Sequence, residues 1–457
     1  MVSLAKGSRV LRLGLILSAA LNIAVFPAFA QEPAKAEAPP PREWIDAKTG
    51  HRVVRISNEP NSSSLYFNYN AYTPQGDRMA IVTPAGIAAI DLKTFKEIPV
   101  LAVKAPFRLL FTGHKTRQVY YETFQGGPDG GKTVWAVSID GGKPRKIASV
   151  ASGDIQTINA DETLLGGVSV DGDRGANALK AFQKTDQRFD QADYQATGKD
   201  GKPLNYADAK EVRMDERLEA KVPMSMFVVD IKTGKQRKVY GSTDWLNHLQ
   251  FSPTDPNLLM FCHEGPWQKV DRLWLLHLDR PSTPPVKIHT RTMNMEIAGH
   301  EWFSEDGKTI WYDLQTPRGQ DFWVAGYDIA TGHRTQYHLI RNEWSVHFNR
   351  NADGSLFSGD GGGPDMVAHA GDGKWLYLFT PHAVIPDAGI PSPHSEALIQ
   401  PGTFTAEKLV DMGKQDYRLE PNGKFSPDGK WLIFRGNMFG PSYVFAVELA
   451  RTKEPAQ

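Results

Sequence analysis

Phe425-Ser-Pro-Asp-Gly429, followed by Trp431-Leu-Ile-Phe434, puts an aromatic residue, a polar turn and a β-rich run into ten residues. The unit, an aromatic or apolar residue before a polar turn and a β-rich run, recurs up the chain. It appears at Tyr72-Thr-Pro-Gln-Gly76 with Met79-Ala-Ile-Val82, at Phe111-Thr-Gly-His114 with Val119-Tyr-Tyr121, and at Ile158-Asn-Ala-Asp161 with Leu164-Leu165. It returns at Phe251-Ser-Pro-Thr-Asp255 with Leu258-Leu-Met-Phe261, at Phe303-Ser-Glu-Asp-Gly307 with Ile310-Trp-Tyr312, and at Asn351-Ala-Asp-Gly354 with Leu356-Phe357. Gly, Asn and Asp supply the local hydrogen bonds and positive φ of a tight hairpin turn, and the apolar run after each supplies a strand.

Most copies carry a third strand ending in a second turn, as in Val229-Asp-Ile-Lys-Thr-Gly234 and Tyr327-Asp-Ile-Ala-Thr-Gly332. A fourth run follows, such as Arg237-Lys-Val-Tyr240 or Arg334-Thr-Gln-Tyr337. Four short antiparallel strands repeated every ~40 to 50 residues are the pattern of propeller blades. The seven copies therefore predict an all-β, seven-bladed β-propeller from about residue 44 to 450. His51-Arg-Val-Val-Arg55 precedes the first turn and Tyr443-Val-Phe-Ala-Val447 ends the last repeat, so both ends of the chain can complete one blade and hide its edges. One interval is too long for a blade. Residues 171–222 are charged and Ala-rich, with a helix-favouring stretch from Ala207 to Ala220, which predicts a partly helical insertion over one face of the ring or a surface loop.

Outside the ring, Lys6, Arg9 and Arg12 precede an apolar run ending in Ala28-Phe29-Ala30, the order of a cleavable secretory signal. Residues 1–30 read as that signal, 31–43 as a flexible linker and 451–457 as a tail, so the mature chain is expected to be periplasmic or secreted, with no membrane attachment. The 52 Lys+Arg balance the 52 Asp+Glu, which gives no general electrostatic reason to expect nucleic acid as a partner. The single cysteine, Cys262, excludes a disulfide framework and a Cys-rich zinc site, and reads as a buried packing residue. No Gly-x-Ser-x-Gly elbow follows the ring, which argues against a hydrolase of the prolyl-peptidase type.

Histidines concentrate in the later repeats. His248, His300 and His347 each lie three or four residues before a turn unit, so consecutive blades can bring three imidazoles to the central channel, where they could bind a metal or supply a base. A bracing, hydrogen-bonded histidine is the alternative at any one of these positions. His263 stands in Phe261-Cys-His-Glu-Gly-Pro-Trp267. Asp306, Asp353 and Asp428 belong to the turns.

At these residues the sequence resembles the oligogalacturonate lyases, seven-bladed propeller enzymes that depolymerise short pectin fragments. The resemblance is carried by Trp44-Ile-Asp-Ala-Lys-Thr-Gly-His-Arg-Val-Val-Arg55, Leu65-Tyr-Phe-Asn68, Trp245-Leu-Asn-His248 with Cys262-His-Glu-Gly-Pro266, Asp271-Arg-Leu-Trp274, and His347 with Gly359-Asp-Gly361. It implies β-elimination from an anionic oligosaccharide. A base removes the C5 proton of a uronate, a cation neutralises the carboxylate, and the 4-linked oxygen leaves.

On this resemblance His248 matches the base, and His300 one of the histidines that hold a divalent metal, described as manganese. The family's Gln-x-x-His-x-His string is replaced by Tyr417-Arg-Leu-Glu420-Pro-Asn422. Glu420 and Asn422 then become the expected ligands beside His300, a set suited to Mn²⁺, Ca²⁺ or Mg²⁺. Alternatively Arg418 or Arg435 neutralises the carboxylate without a metal. An arginine expected before Val229 is missing, and Arg213 or Arg217 of the insertion could replace it. His263 and His347 are placed against the substrate. Glucuronate- or ulvan-type polymers remain open as substrates, and a non-catalytic periplasmic propeller similar to the TolB type is the alternative function.

Overall fold

The computed structural model describes residues 39–124, 131–172, 185–186, 191–192, 198–204, 206–364, 366–384 and 393–452. The expected signal, residues 1–30, lies outside them, as does most of the linker. Alternating apolar and polar residues fold the rest into seven antiparallel blades arranged as a propeller.

Blade one is Arg78–Thr83, Gly86–Asp91 and Glu97–Ala102, joined by single bridges at Ser63 and Tyr72. Blade two is Phe107–Thr112, Gln118–Phe124, Lys132–Ser138 and Arg145–Val150; blade three begins with Asp154–Ile158 and Leu164–Val170 and finishes with Met224–Asp230 and Gln236–Ser242. Blade four is Trp245–Phe251, Leu258–Glu264, Leu273–His277 and Val286–Lys287. Blade five runs from Ile297–Phe303 to Arg334–Leu339 and blade six from Val346–Arg350 to Gln400–Asp411. Their outer strands pair in parallel, Thr335 to His338 against Gln400 to Thr403, so the two blades share one sheet.

Blade seven closes the ring. Lys424–Phe425, Trp431–Gly436 and Tyr443–Arg451 come from the C-terminal end, and His51–Arg55 and Glu43–Ile45 complete the sheet from the N-terminal end. Residues 40 to 43 of the expected linker are held to this sheet, with Arg55 Nε donating to the Pro40 carbonyl at 3.3 Å.

The repeated turns form as their residues dictate. Ser304 Oγ donates to Asp306 Oδ1 at 2.6 Å and Ser426 Oγ to Asp428 Oδ1 at 2.5 Å, while Gly307 and Gly429 adopt φ of 68°. Aromatic and branched residues fill the spaces between blades, with Phe67, Trp302, Phe322, Phe348 and Phe357 in one cluster.

The insertion connects the second and third strands of blade three. It carries a small hairpin, Thr185–Asp186 with Gln191–Ala192, and helix α1, Tyr206–Ala220. The helix docks on the ring. Ala209, Met214 and Arg217 are buried, and Arg318 Nη1 pairs with Glu211 Oε1 at 2.6 Å. Among the described residues no helix is long and apolar enough to cross a membrane.

One segment threads the channel. Phe67 is fully buried between Trp302 and His347, its N–H donates to Asn422 Oδ1 at 3.4 Å, Asn68 Nδ2 donates to the Glu301 carbonyl at 3.4 Å, and Asn70 Nδ2 donates to the Thr112 carbonyl at 2.9 Å. Residues 66 to 70 thus touch blades two, five and seven at once and separate the two mouths of the channel.

Candidate active site

The inner strands of blades four, five and six each break register once. The irregularities fall between Asn247 and Gln250, between Gly299 and Trp302, and between Val346 and Asn349. Each bulge holds a histidine in the left-handed region, with φ of 52° at His248, 48° at His300 and 48° at His347. A left-handed non-glycine residue costs roughly 1–3 kcal/mol, and a bulge re-aims the side chain it carries. Here it turns three imidazoles toward the channel.

His248 and His300 line a cavity of about 210 Å³ at one mouth of the channel, together with Tyr66, Glu264, Arg272, Asp313 and Glu420. His347 lies just beneath, fully buried, its ring centroid 4.6 Å from that of His300. Helix α1 forms one wall through Lys210, Glu211 and Met214.

What stands beside each histidine differs. On the neighbouring strand Asp313 pairs with Gly299 and Asp360 with Val346, so each blade places a carboxylate against its bulge. His300 Nδ1 donates to Asp313 Oδ1 at 2.6 Å, and His347 Nδ1 to Asp360 Oδ1 at 2.8 Å. In blade four the equivalent residue, paired with Asn247, is Cys262. Its thiol donates to Glu301 Oε1 at 2.6 Å, leaving His248 without that buttress.

The electrostatics follow. Burial pulls the His248 imidazole below its ordinary value, an effect that Glu264 and Glu301 oppose only partly. Burial also acts on His347, but the Asp360 and Glu420 carboxylates overcome it and raise the imidazole to about 9. Glu420 Oε2 is 3.5 Å from His347 Nε2, and its carboxyl is held below the usual range because His347, Arg435 and His300 outweigh the effect of burial.

Below His248 lies a second charged layer. Arg272, almost fully buried, donates from Nε to Glu301 Oε2 at 3.1 Å and places Nη1 3.8 Å from Glu264 Oε1. Burial would raise the Glu301 carboxyl, but Arg272 and His248 hold it down at about 2. Glu264 Oε2 is 3.7 Å from His248 Nε2, close enough to stabilise a proton there.

Several expected contacts are not made. Asn422 does take the left-handed conformation, with φ of 52°, but its amide is consumed by backbone: Nδ2 donates to the Glu420 carbonyl at 3.1 Å and Oδ1 accepts from Phe67. It does not line the cavity. His263 faces the other side of its strand, donating from Nδ1 to Asp244 Oδ2 at 2.7 Å and packing against Phe261 and Trp274. Arg217 is buried with its guanidinium 4.1 Å from the Trp245 ring centroid, and Arg213 lies over the same ring at 5.2 Å, so both anchor α1. Arg418 is exposed and paired with Asp416, and Arg435 Nε donates to the Glu420 carbonyl at 2.8 Å, which positions that residue from behind.

Lys210 and Arg318 are not singled out by sequence, and Glu264 and Arg272 stand there only within the strings that carry the resemblance, with no role assigned. A signal did exist for the orienting acids, because Asp313 and Asp360 each stand thirteen residues after their histidine.

Could this set hold a cation? Among the described residues no group of three or more His, Cys, Asp or Glu side chains stands at ligating distances. The chemistry of the donors nevertheless fits a divalent ion. His347 Nε2 is buried, makes no hydrogen bond among the described residues and points at Glu420, and both His300 and His347 are oriented through Nδ1 by an acid, as metal-bound imidazoles are. The cavity wall also carries four carboxylates, Glu211, Glu264, Asp313 and Glu420, against three fixed cations, Lys210, Arg272 and Arg318.

The sequence profile of the oligogalacturonate lyases matches residues 198–453, which includes blades four to six and the C-terminal strands of blade seven. The chain belongs to the oligogalacturonate lyase family.

Two curated members of the family, the oligogalacturonide lyase of Pectobacterium atrosepticum and the oligogalacturonate lyase of Dickeya dadantii, are each 25% identical to the chain over 228 residues. The match spans 48% of this chain and 54% of each relative, about half the length of the curated proteins. Among solved structures, an oligogalacturonate lyase in complex with manganese aligns with a TM-score of 0.66 at 20% identity, over 89% of this chain and 96% of that one. The oligogalacturonate lyase of Vibrio parahaemolyticus aligns at 0.65 with 19% identity and the same coverage. These two likenesses establish the fold over blades the family profile does not reach.

Proposed function

We propose that the chain is a polysaccharide lyase that cleaves oligogalacturonate, or a related uronate oligomer, by β-elimination, with His248 as base. The observation that carries this reading is the division among the three bulge histidines: one kept neutral by burial, two buttressed by acids. A neutral imidazole can accept the C5 proton of a uronate, and Glu264 beside it would favour the imidazolium that forms.

His300, His347 and Glu420 are the residues that would hold a divalent metal, with Asp313 and Asp360 orienting the two rings. When bound, such a cation would neutralise the uronate carboxylate, so that charge developing next to it is tolerated. Lys210 and Arg318, on the cavity wall, suit the carboxylate of a neighbouring sugar unit. Manganese is the first candidate because the similar solved lyase is a manganese complex.

The test is incubation of the purified chain with oligogalacturonate, and separately with glucuronate- and ulvan-type oligomers, following the ultraviolet absorbance of the unsaturated product. Product from oligogalacturonate that stops with EDTA and returns with manganese is expected. No product from any uronate, with metal supplied, would overturn the reading.

A further inference from the structure

The other mouth of the channel holds a larger cavity, about 440 Å³, walled by the ends of the inner strands and their turns: Gln250, Phe251 and Pro253 of blade four, Phe303 and Glu305 of blade five, Lys424 of blade seven. Cavities of roughly 300–1,000 Å³ are the size that holds small molecules. The Tyr66-to-Asn70 segment separates it from the histidines, contributing Tyr66 to one cavity and Asn68 and Tyr69 to the other.

Three polar groups on this wall are not fully used by the protein. Lys424 Nζ donates one hydrogen bond, to the Tyr69 carbonyl at 2.6 Å, and makes no ion pair among the described residues. The ammonium lies 6.0 Å from the Tyr72 ring centroid, and burial holds this amine down at about 8, an effect that the Glu305 carboxylate opposes only partly. Tyr72 Oη and Asn68 Oδ1 are buried and make no hydrogen bond among the described residues. Around them, Asn70 and Gln156 are engaged with backbone and side-chain partners and form a rigid frame. The one carboxylate on the wall, Glu305, is exposed, and burial keeps the imidazole of His114 below its ordinary value.

We propose that this far mouth is a second ligand site, for a small hydroxylated carboxylic acid of the sugar-acid class, with Lys424 as the cation that receives the carboxylate. Asn68 Oδ1 suits a hydroxyl donor and Tyr72 Oη can donate or accept. A single lysine matches a single carboxylate better than a phosphate, which favours bidentate arginine or clustered backbone N–H groups. The inference does not rest on the lyase reading. It would stand if the histidine mouth did no chemistry.

The test is calorimetric titration of the full chain with galacturonate and with galactose, its neutral counterpart. Wild type is compared with Lys424→Met, Tyr72→Phe and the double variant His300→Ala/His347→Ala. Galacturonate should bind wild type at least about tenfold more tightly than galactose, and Lys424→Met should lose about that factor. Tyr72→Phe, which removes a hydroxyl the described protein does not use, should weaken binding roughly threefold without unfolding the chain, and so serves even if Lys424→Met folds poorly. The His300→Ala/His347→Ala variant should retain the binding. Galacturonate that fails to bind, that binds Lys424→Met and Tyr72→Phe as it does wild type, or that is lost only with the two histidines would overturn the proposal.

Discussion

His248 in blade four and His300 and His347 in blades five and six occupy the same bulge with the same left-handed backbone, yet the strand beside them offers a thiol in the first case and a carboxylate in the other two. A repeated fold copies positions, and it is the neighbour on the next strand that decides what each copy can do. The imidazole without an acid at Nδ1 stays neutral and can take a proton. Those with one are fixed in orientation, which suits binding a cation.

The largest effect expected from this comparison is at the base. His248→Ala should lower kcat on oligogalacturonate by ~10²–10⁴-fold while the circular dichroism and melting temperature stay close to wild type, because the side chain is part-exposed and fills no core. Loss of a few-fold only would place the base elsewhere. Next come the orienting acids. Asp313→Asn and Asp360→Asn should each weaken manganese binding by about 10–100-fold, read by competition with a chelating dye. Asp360→Asn should also bring the His347 titration in metal-free protein down from about 9 toward the ordinary imidazole range, as followed by NMR.

A smaller shift tests the base's partner. Glu264 raises the His248 imidazole against the pull of burial, so Glu264→Gln should move the acid limb of kcat/KM to lower pH. Movement to higher pH would mean that another group sets that limb. A separate effect concerns the far mouth. The Lys424 amine is depressed to about 8 in the folded chain, from an ordinary value near 10.5. Between those values the unfolded state binds more protons, so this residue's contribution to stability rises with pH across that window. Urea denaturation should therefore show wild type gaining on Lys424→Met between those pH values.

Much of the fold is readable in the sequence because turn residues and alternation are local properties. The seven turn–strand copies, the shared closing blade and the helical insertion all follow from patterns within a few residues. The spacing of His248, His300 and His347 from their turns, three or four residues, likewise puts them in matching places.

The rest depends on contacts between distant segments. Asn422 looks like a ligand by position, but Phe67 and the Glu420 carbonyl take its amide. Arg213 and Arg217 look available on a charged helix, yet the phase at which α1 docks sends them onto Trp245 and turns Lys210 and Glu211 to the cavity. Arg272 is set by Glu264 and Glu301, from neighbouring blades, a pairing no single repeat displays.

The most direct test of the divided histidines is metal content after EDTA stripping and dialysis against manganese, measured on wild type, His248→Ala and His300→Ala. Wild type and His248→Ala should each hold one equivalent of manganese, and His300→Ala should hold little. Loss of the metal from His248→Ala, or its full retention by His300→Ala, would contradict the assignment of base and ligands.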